Sequence, residues 1–311
     1  MANSHPNFTN KHLHNLKEDV LYHLGISTNS FNFEEKFGDV KFVCTCGSAG
    51  RIIKFATAMA EEAGQKTPPE NIAGAAARFV LFKVDRTLFV DHGMGIPSTL
   101  IAIHEITKLL QYAGCNDVLF IRIGTSGGVG VKAGTLVISN NCVNTKFEPI
   151  QELCILGKVV RRPTAVDMNA VNELKSLAES MKLKCDVVVG ATIAANDFYE
   201  EQARLDGAIC SFTEDEKKAY LKSAYENGIR NIEMEGTGIA AHCKQVGYRA
   251  VLVCVTLVNR LEVDQVSLTE KEYAYLQELP GMLVGEYLKK NGGINSSGKP
   301  SNKSAAVNGK K

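Results

Sequence analysis

The stretch DVLFIRIGTS (117–126) decides the fold. It is apolar at almost every position, whereas a half-solvated strand would alternate apolar with polar residues. A near-continuous run of Val, Leu, Ile and Phe is the pattern of a strand buried on both faces, as in a parallel sheet covered by helices. Inside that run stands Arg122. An arginine in such surroundings is not fully buried without an anionic partner, so this strand is expected to end at a charged site.

Working outward, similar β-branched and apolar runs occur at 39–47, 78–84, 87–93, 134–140, 186–194, 231–235 and 250–259. Helical spacing of apolar residues occurs between them, at 49–63, 98–113, 166–182, 214–227, 236–246 and 269–289. The alternation predicts an α/β protein, a three-layer α/β/α sandwich around a central mixed sheet. Residues 1–15 are expected to form a flexible N-terminal segment and 16–290 a single domain. The Gly/Ser/Asn/Lys-rich 291–311 is expected to be a disordered tail.

The 311 residues carry 35 basic and 34 acidic side chains, a formal charge of +1, and 45% are hydrophobic. Such a balance suits a globular enzyme and gives no electrostatic reason to expect a nucleic acid or an anionic membrane as partner. No apolar run is long enough to span a bilayer, and the N-terminus lacks the apolar core of a signal peptide. The nine cysteines are odd in number, and several, such as Cys44 and Cys254, lie in apolar runs. They read as reduced, buried thiols of a cytoplasmic protein. Cys44 and Cys46 form a bare C-x-C without a second pair or a nearby histidine, so no metal site is expected.

In sheets of this kind ligands bind beyond the carboxyl ends of the strands. The first such end reads CGSAGR (46–51), with Gly47 and Arg51. It suits an anion cradle, and equally an ordinary glycine turn with a surface arginine. The second continues DVLFIRIGTS as FIRIGTSGGVG (120–130), where Thr125 and Ser126 add hydroxyls beside Arg122. It has neither the G-K-[ST] ending of a P-loop nor dinucleotide spacing, so a general anion cradle in a glycine-rich turn is expected. The third is DFYEEQARLDG (197–207), where Phe198, Gln202 and Arg204 could stack on and hydrogen-bond a planar ring with adjacent N–H and C=O groups. The fourth is NIEMEGTGIAAH (231–242), with Glu233 and Glu235 flanking Met234 where a strand turns into a helix. Carboxylates there cost desolvation unless something uses them.

Taken in order, FGDVKFVC, HGMGIPS, IRIGTSGG, DFYEEQARLDGA, RNIEME and CVTLVNRLE resemble the animal-type uridine phosphorylases of the nucleoside phosphorylase family, over about residues 16–290. The resemblance implies reversible phosphorolysis of uridine to uracil and ribose 1-phosphate in pyrimidine salvage. It implies no cofactor, with inorganic phosphate as co-substrate, and a homodimer with shared sites. It assigns phosphate to Gly47, Arg51, Arg78, Arg122 and Thr125, with Arg78 lent by the neighbouring subunit. Ribose is assigned to Thr125, Met234, Glu235 and the neighbour's His23, and uracil to Phe198, Gln202, Arg204 and Arg260. The catalytic set it implies is Arg122, Glu235, Gln202 and Arg204. Purine-cleaving relatives carry an aspartate after the strand that here ends in Val258; Asn259 and Arg260 follow instead, which favours a pyrimidine. Ala203 stands where the family often has glycine or a charged residue, and little effect is expected from it. Two other readings compete, a nucleosidase that uses water and a non-catalytic nucleoside-binding paralogue. Three arginines aimed at an anion speak against the first, and the complete set of site residues against the second.

Overall fold

A computed structural model describes residues 10–295. Twelve strands and seven α-helices are assigned in it. In chain order they are β1 (Val20–Leu21), β2 (Ile26–Ser27), α1 (Phe33–Phe37), β3 (Phe42–Cys46), α2 (Ala49–Glu62), β4 (Leu81–Val84), β5 (Thr87–Asp91) and α3 (Gly95–Tyr112). Then come β6 (Leu119–Gly128), β7 (Leu136–Val143), β8 (Ile150–Ile155), β9 (Lys158–Pro163), α4 (Met168–Met181), β10 (Val187–Ala194) and α5 (Glu214–Glu226). The chain closes with β11 (Ile229–Glu233), α6 (Gly236–Val246), β12 (Arg249–Asn259) and α7 (Glu270–Lys290).

Eight strands form one mixed sheet in the order β11-β10-β7-β12-β6-β3-β5-β4, with β6 at its centre. The strands flanking it, β12 and β3, run parallel to it. Both faces are covered, as the apolar run predicts. Leu119, Ile121 and Ile123 of β6 enter the core under α2, α4 and α7, while Phe120 enters the core under α1, α3 and α6. Each such fully buried side chain stabilises the fold by about 1.5–3 kcal/mol. The period of two puts Arg122 on the same face as Phe120, toward α3 and α6.

Three features depart from the sequence expectations. The glycine-rich segment after Arg122 is not a turn. Strand β6 runs on through Gly128, whose segment bends over to pair with β11 as well, Asn231 opposite Gly128 and Ile232 opposite Gly127. This second pairing closes part of the sheet on itself. It is stitched by a buried polar chain in which Asn231 Nδ2 donates to Ser126 Oγ (2.9 Å) and Thr192 Oγ1 donates to Asn231 Oδ1 (2.7 Å). The glycines are there for close approach. A Cβ on Gly124 would collide with the Arg122 guanidinium, and one on Gly127 would lie 2.8 Å from Cγ of Arg260.

The second departure is the antiparallel hairpin β8–β9, absent from the sequence reading. Its two-residue loop, Leu156-Gly157, has both residues at positive φ (50° and 77°), which matches the twist of paired strands. The third concerns the ends of the domain. Residues Lys11–Asn15, expected to be flexible, form a 3₁₀ turn. Residues 291–295, expected in the tail, pack against the start of β5: Ile294 is buried, and the Gly293 carbonyl accepts from Thr87 Oγ1 at 2.9 Å. The rest of both expected segments, 1–9 and 296–311, lies outside the described residues.

Candidate active site

The carboxyl ends of β3, β6, β11 and β12 and the loop after β10 surround a cavity of 160 Å³. Ten of the twelve sequence-predicted residues line it: Gly47, Arg51, Arg122, Thr125, Phe198, Gln202, Arg204, Met234, Glu235 and Arg260. A larger cavity of 1090 Å³ lies between α2 and α7. It is walled by Phe55, Met59, Met181 and Met282, and Lys289 at its rim is paired with Glu62 and Glu286. Convergent chemistry, not size, marks the smaller one.

Arg122 is the centre of the charged wall. It is buried, and its Nε donates to Glu233 Oε2 at 2.8 Å while its Nη2 donates to Glu235 Oε2. Both carboxylates stand at the start of α6, where backbone N–H groups are unpaired. Glu233 accepts from the N–H of Glu235 (3.0 Å) and of Gly236 (2.8 Å), and Glu235 Oε1 accepts from Gly95 N–H at 2.7 Å. Burial alone would raise both carboxyl pKa values. At Glu233 burial prevails over the Arg122 charge and its pKa is raised. At Glu235 the Arg122 charge, with the Gly95 N–H, overcomes burial and holds the pKa below the ordinary carboxylate range. Burial would also deprotonate Arg122, but the two carboxylates outweigh it and keep the guanidinium charged. The wall thus offers an ionised Glu235 beside a fixed cation. His92, fully buried and within hydrogen-bond distance of Thr99 Oγ1 at 3.1 Å, is pushed down to about 3 by burial and stays neutral.

The opposite wall is aromatic and amide. The loop after β10 makes a 3₁₀ turn, Glu200–Gln202, and ends on Ala203 in the left-handed region (φ 54°), which sends Gln202 inward and Arg204 back over the aromatics. The Arg204 guanidinium lies 4.5 Å from the Phe198 ring centre and is held bidentately by Asp206, Nε at 2.7 Å and Nη2 at 2.5 Å. That hydrogen-bonded pairing pulls the Asp206 carboxyl down to about 2. Gln202 is buried, yet its side-chain amide has no protein partner among the described residues. Arg260, 1% exposed, grips the Gln202 carbonyl from Nη2 at 2.9 Å, and burial lowers its pKa to about 10. The sequence reading missed Met94 and Asp264, which also line the cavity. The one sequence signal for Asp264 was its place four residues beyond Arg260.

His23 and Arg78 are not in this cavity. They lie together elsewhere on the chain, the Arg78 N–H donating to the His23 carbonyl at 2.8 Å. The His23 ring is tied to buried Glu105 through Nδ1 at 2.7 Å, and the same carboxylate accepts from the N–H groups of His23 and Leu24. This fixes a side chain that is 41% exposed.

A cleft with arginines and a carboxylate on one wall and an aromatic and amide loop on the other is equipped to hold an anion beside a planar polar ring. Residues 41–277 match the family described as the phosphorylase superfamily. The chain is 65% identical to uridine phosphorylase A of Schistosoma mansoni, covering 94% of this chain and 99% of that one. It is 64% identical, with the same coverage, to a protein of that organism named inactive uridine phosphorylase B. The crystal structure of S. mansoni uridine phosphorylase in complex with uracil superposes with a TM-score of 0.89 at 66% identity, covering 92% of this chain and 99% of that one. The chain belongs to the phosphorylase superfamily, among its uridine phosphorylases. One of these relatives is named inactive, so membership does not by itself decide turnover. The residues of the site must.

Proposed function

We propose that this chain is an active uridine phosphorylase that cleaves uridine reversibly with inorganic phosphate to uracil and ribose 1-phosphate. The observation that carries the proposal is the single cavity in which Arg51, Arg122, Glu235, Gln202 and Arg204 all meet. Arginine suits phosphate because its planar fork makes parallel charge-assisted bonds. Gly47, Arg51 and Arg122 with Thr125 hold phosphate, Glu235 and Met234 hold ribose, and Gln202 with Arg204 reads uracil stacked at Phe198. As the glycosidic bond lengthens, negative charge gathers on the ring and positive charge on the sugar. Donors preset on the base and the ionised Glu235 beside the sugar stabilise both where they appear. Phosphate, oriented by the arginines, then attacks the opposite face of the sugar. No organic cofactor enters this reaction. Purified protein given uridine will release uracil only with phosphate or arsenate present. Equal release in phosphate-free buffer would make it a nucleosidase, and no release in either would make it a binding paralogue.

The setting we propose is a cytoplasmic homodimer working in pyrimidine salvage. All nine cysteines are free thiols, in keeping with a reducing compartment. No helix among the described residues is long and apolar enough to cross a membrane. His23 and Arg78, which the resemblance assigns to the site, lie apart from this chain's cavity, and in the proposed dimer each subunit lends them to its partner's site. In a two-fold dimer both sites are then equivalent. Arg78→Ala and Arg122→Ala, each inactive alone, will complement when co-expressed with two tags. The doubly tagged dimer holds one intact site and one doubly damaged site, and recovers about half of wild-type activity. A mixed dimer no better than its parents would mean that Arg78 and Arg122 both serve the site of their own chain, and the shared-site reading would be wrong.

A further inference from the structure

The base-reading loop is gripped from behind by a charged cluster. Asp264 sits in the segment between β12 and α7, its side chain 10% exposed. Its Oδ1 accepts from Lys217 Nζ of α5 at 2.7 Å and from Arg260 Nη1 at 3.1 Å, and its Oδ2 accepts from the Leu205 backbone N–H at 3.0 Å. Arg260 in turn donates from Nη2 to the Gln202 carbonyl at 2.9 Å. The loop is therefore held at two backbone points, the carbonyl of 202 and the N–H of 205, by one ion pair. Between these points lies Ala203 with its positive φ, and beside them the free amide of Gln202. A residue at positive φ without a glycine's freedom persists only where its surroundings impose it.

We infer that Asp264 is a positioning residue for base recognition: through Arg260 and the Leu205 N–H it holds the 202–205 segment so that the Gln202 amide meets the pyrimidine already oriented. This rests on the uridine phosphorylase reading above. The carboxylate also balances two nearly buried cations, Lys217 and Arg260. A plain structural role would therefore act through charge and stability, whereas a positioning role acts on the base.

The two separate in Asp264→Asn and in Asp264→Asn combined with Lys217→Met. Uridine kinetics, uracil binding by calorimetry, phosphate KM and Tm are measured for both. Asp264→Asn should lose at least about tenfold in kcat/KM for uridine and weaken uracil binding in step, with phosphate KM within about twofold of wild type. The double variant, relieved of one unpaired cation, should regain Tm but not the lost uridine kcat/KM. The clamp is overturned if Asp264→Asn keeps wild-type uridine kinetics and uracil binding. It is equally overturned if the double variant recovers kcat/KM together with Tm, or if phosphate KM worsens as much as uracil binding. Wild-type protein that neither cleaves uridine nor binds uracil would overturn the phosphorylase reading and this inference with it. A wild type that does both while the variants match it overturns the clamp alone.

Discussion

Arg122→Met will lower kcat/KM for uridine by at least about 10³-fold, or roughly 4 kcal/mol of transition-state stabilisation. The guanidinium is a fixed buried cation that keeps Glu235 ionised, and in the proposed reaction it faces the phosphate while Glu235 faces the sugar. Methionine keeps much of the length and apolar stem but none of the charge. The variant should also unfold more easily, because removing one partner of a buried ion pair typically costs about 3–5 kcal/mol. The pH dependence gives the cause a signature. Without Arg122, burial raises both carboxyls above their unfolded values. Folding then favours the protonated forms, so the variant's stability is greatest at low pH and is lost as pH rises through the raised values. Thermal melts at about pH 5 and pH 8 should show the deficit against wild type widening with pH. A deficit that is absent, or that shrinks as pH rises, would remove Arg122 from its central place between the two glutamates.

Gln202→Leu tests the other wall. Leucine matches the volume of the side chain and leaves the main chain free to keep its bond to Arg260, so Tm should change little. What disappears is the Gln202 side-chain amide, which has no protein partner among the described residues. A site built to hydrogen-bond its ligand discriminates by up to about 10⁴-fold once the bonds are unpaired. The expected loss in kcat/KM for uridine is at least about tenfold, roughly 1.4 kcal/mol, with phosphate KM unchanged. Wild-type kinetics in this variant would show that uracil is read elsewhere.

How much of this was legible beforehand follows from the range of the interactions involved. The central strands were legible because their burial on both faces is written as unbroken apolar runs, and the helices because each shows one apolar stripe. Hairpin β8–β9 was not, since its solvated residues lack strict alternation and its loop signal is a single glycine after Leu156. The glycines after Arg122 looked like a turn because glycine weakens a strand. Only the folded sheet shows them inside β6, where their missing side chains admit two arginines.

The site divides in the same way. From the sequence came the α/β fold, the strand ends that carry chemistry and an arginine that required an anionic partner, all local facts set by residue type and its place in an element. Ten of the residues lining the cavity were also named beforehand, Arg260 among them only through the family resemblance. Tertiary structure alone decided that the partners of Arg122 are Glu233 and Glu235, more than a hundred residues away. It alone tied the 202–205 loop to Asp264 and Lys217, whereas the resemblance had already implied that His23 and Arg78 stand apart from their own chain's cavity. Charge pairing acts across space between elements whose order along the chain differs from their order in the sheet. No local pattern records which carboxylate will meet which cation until the strands have taken their places.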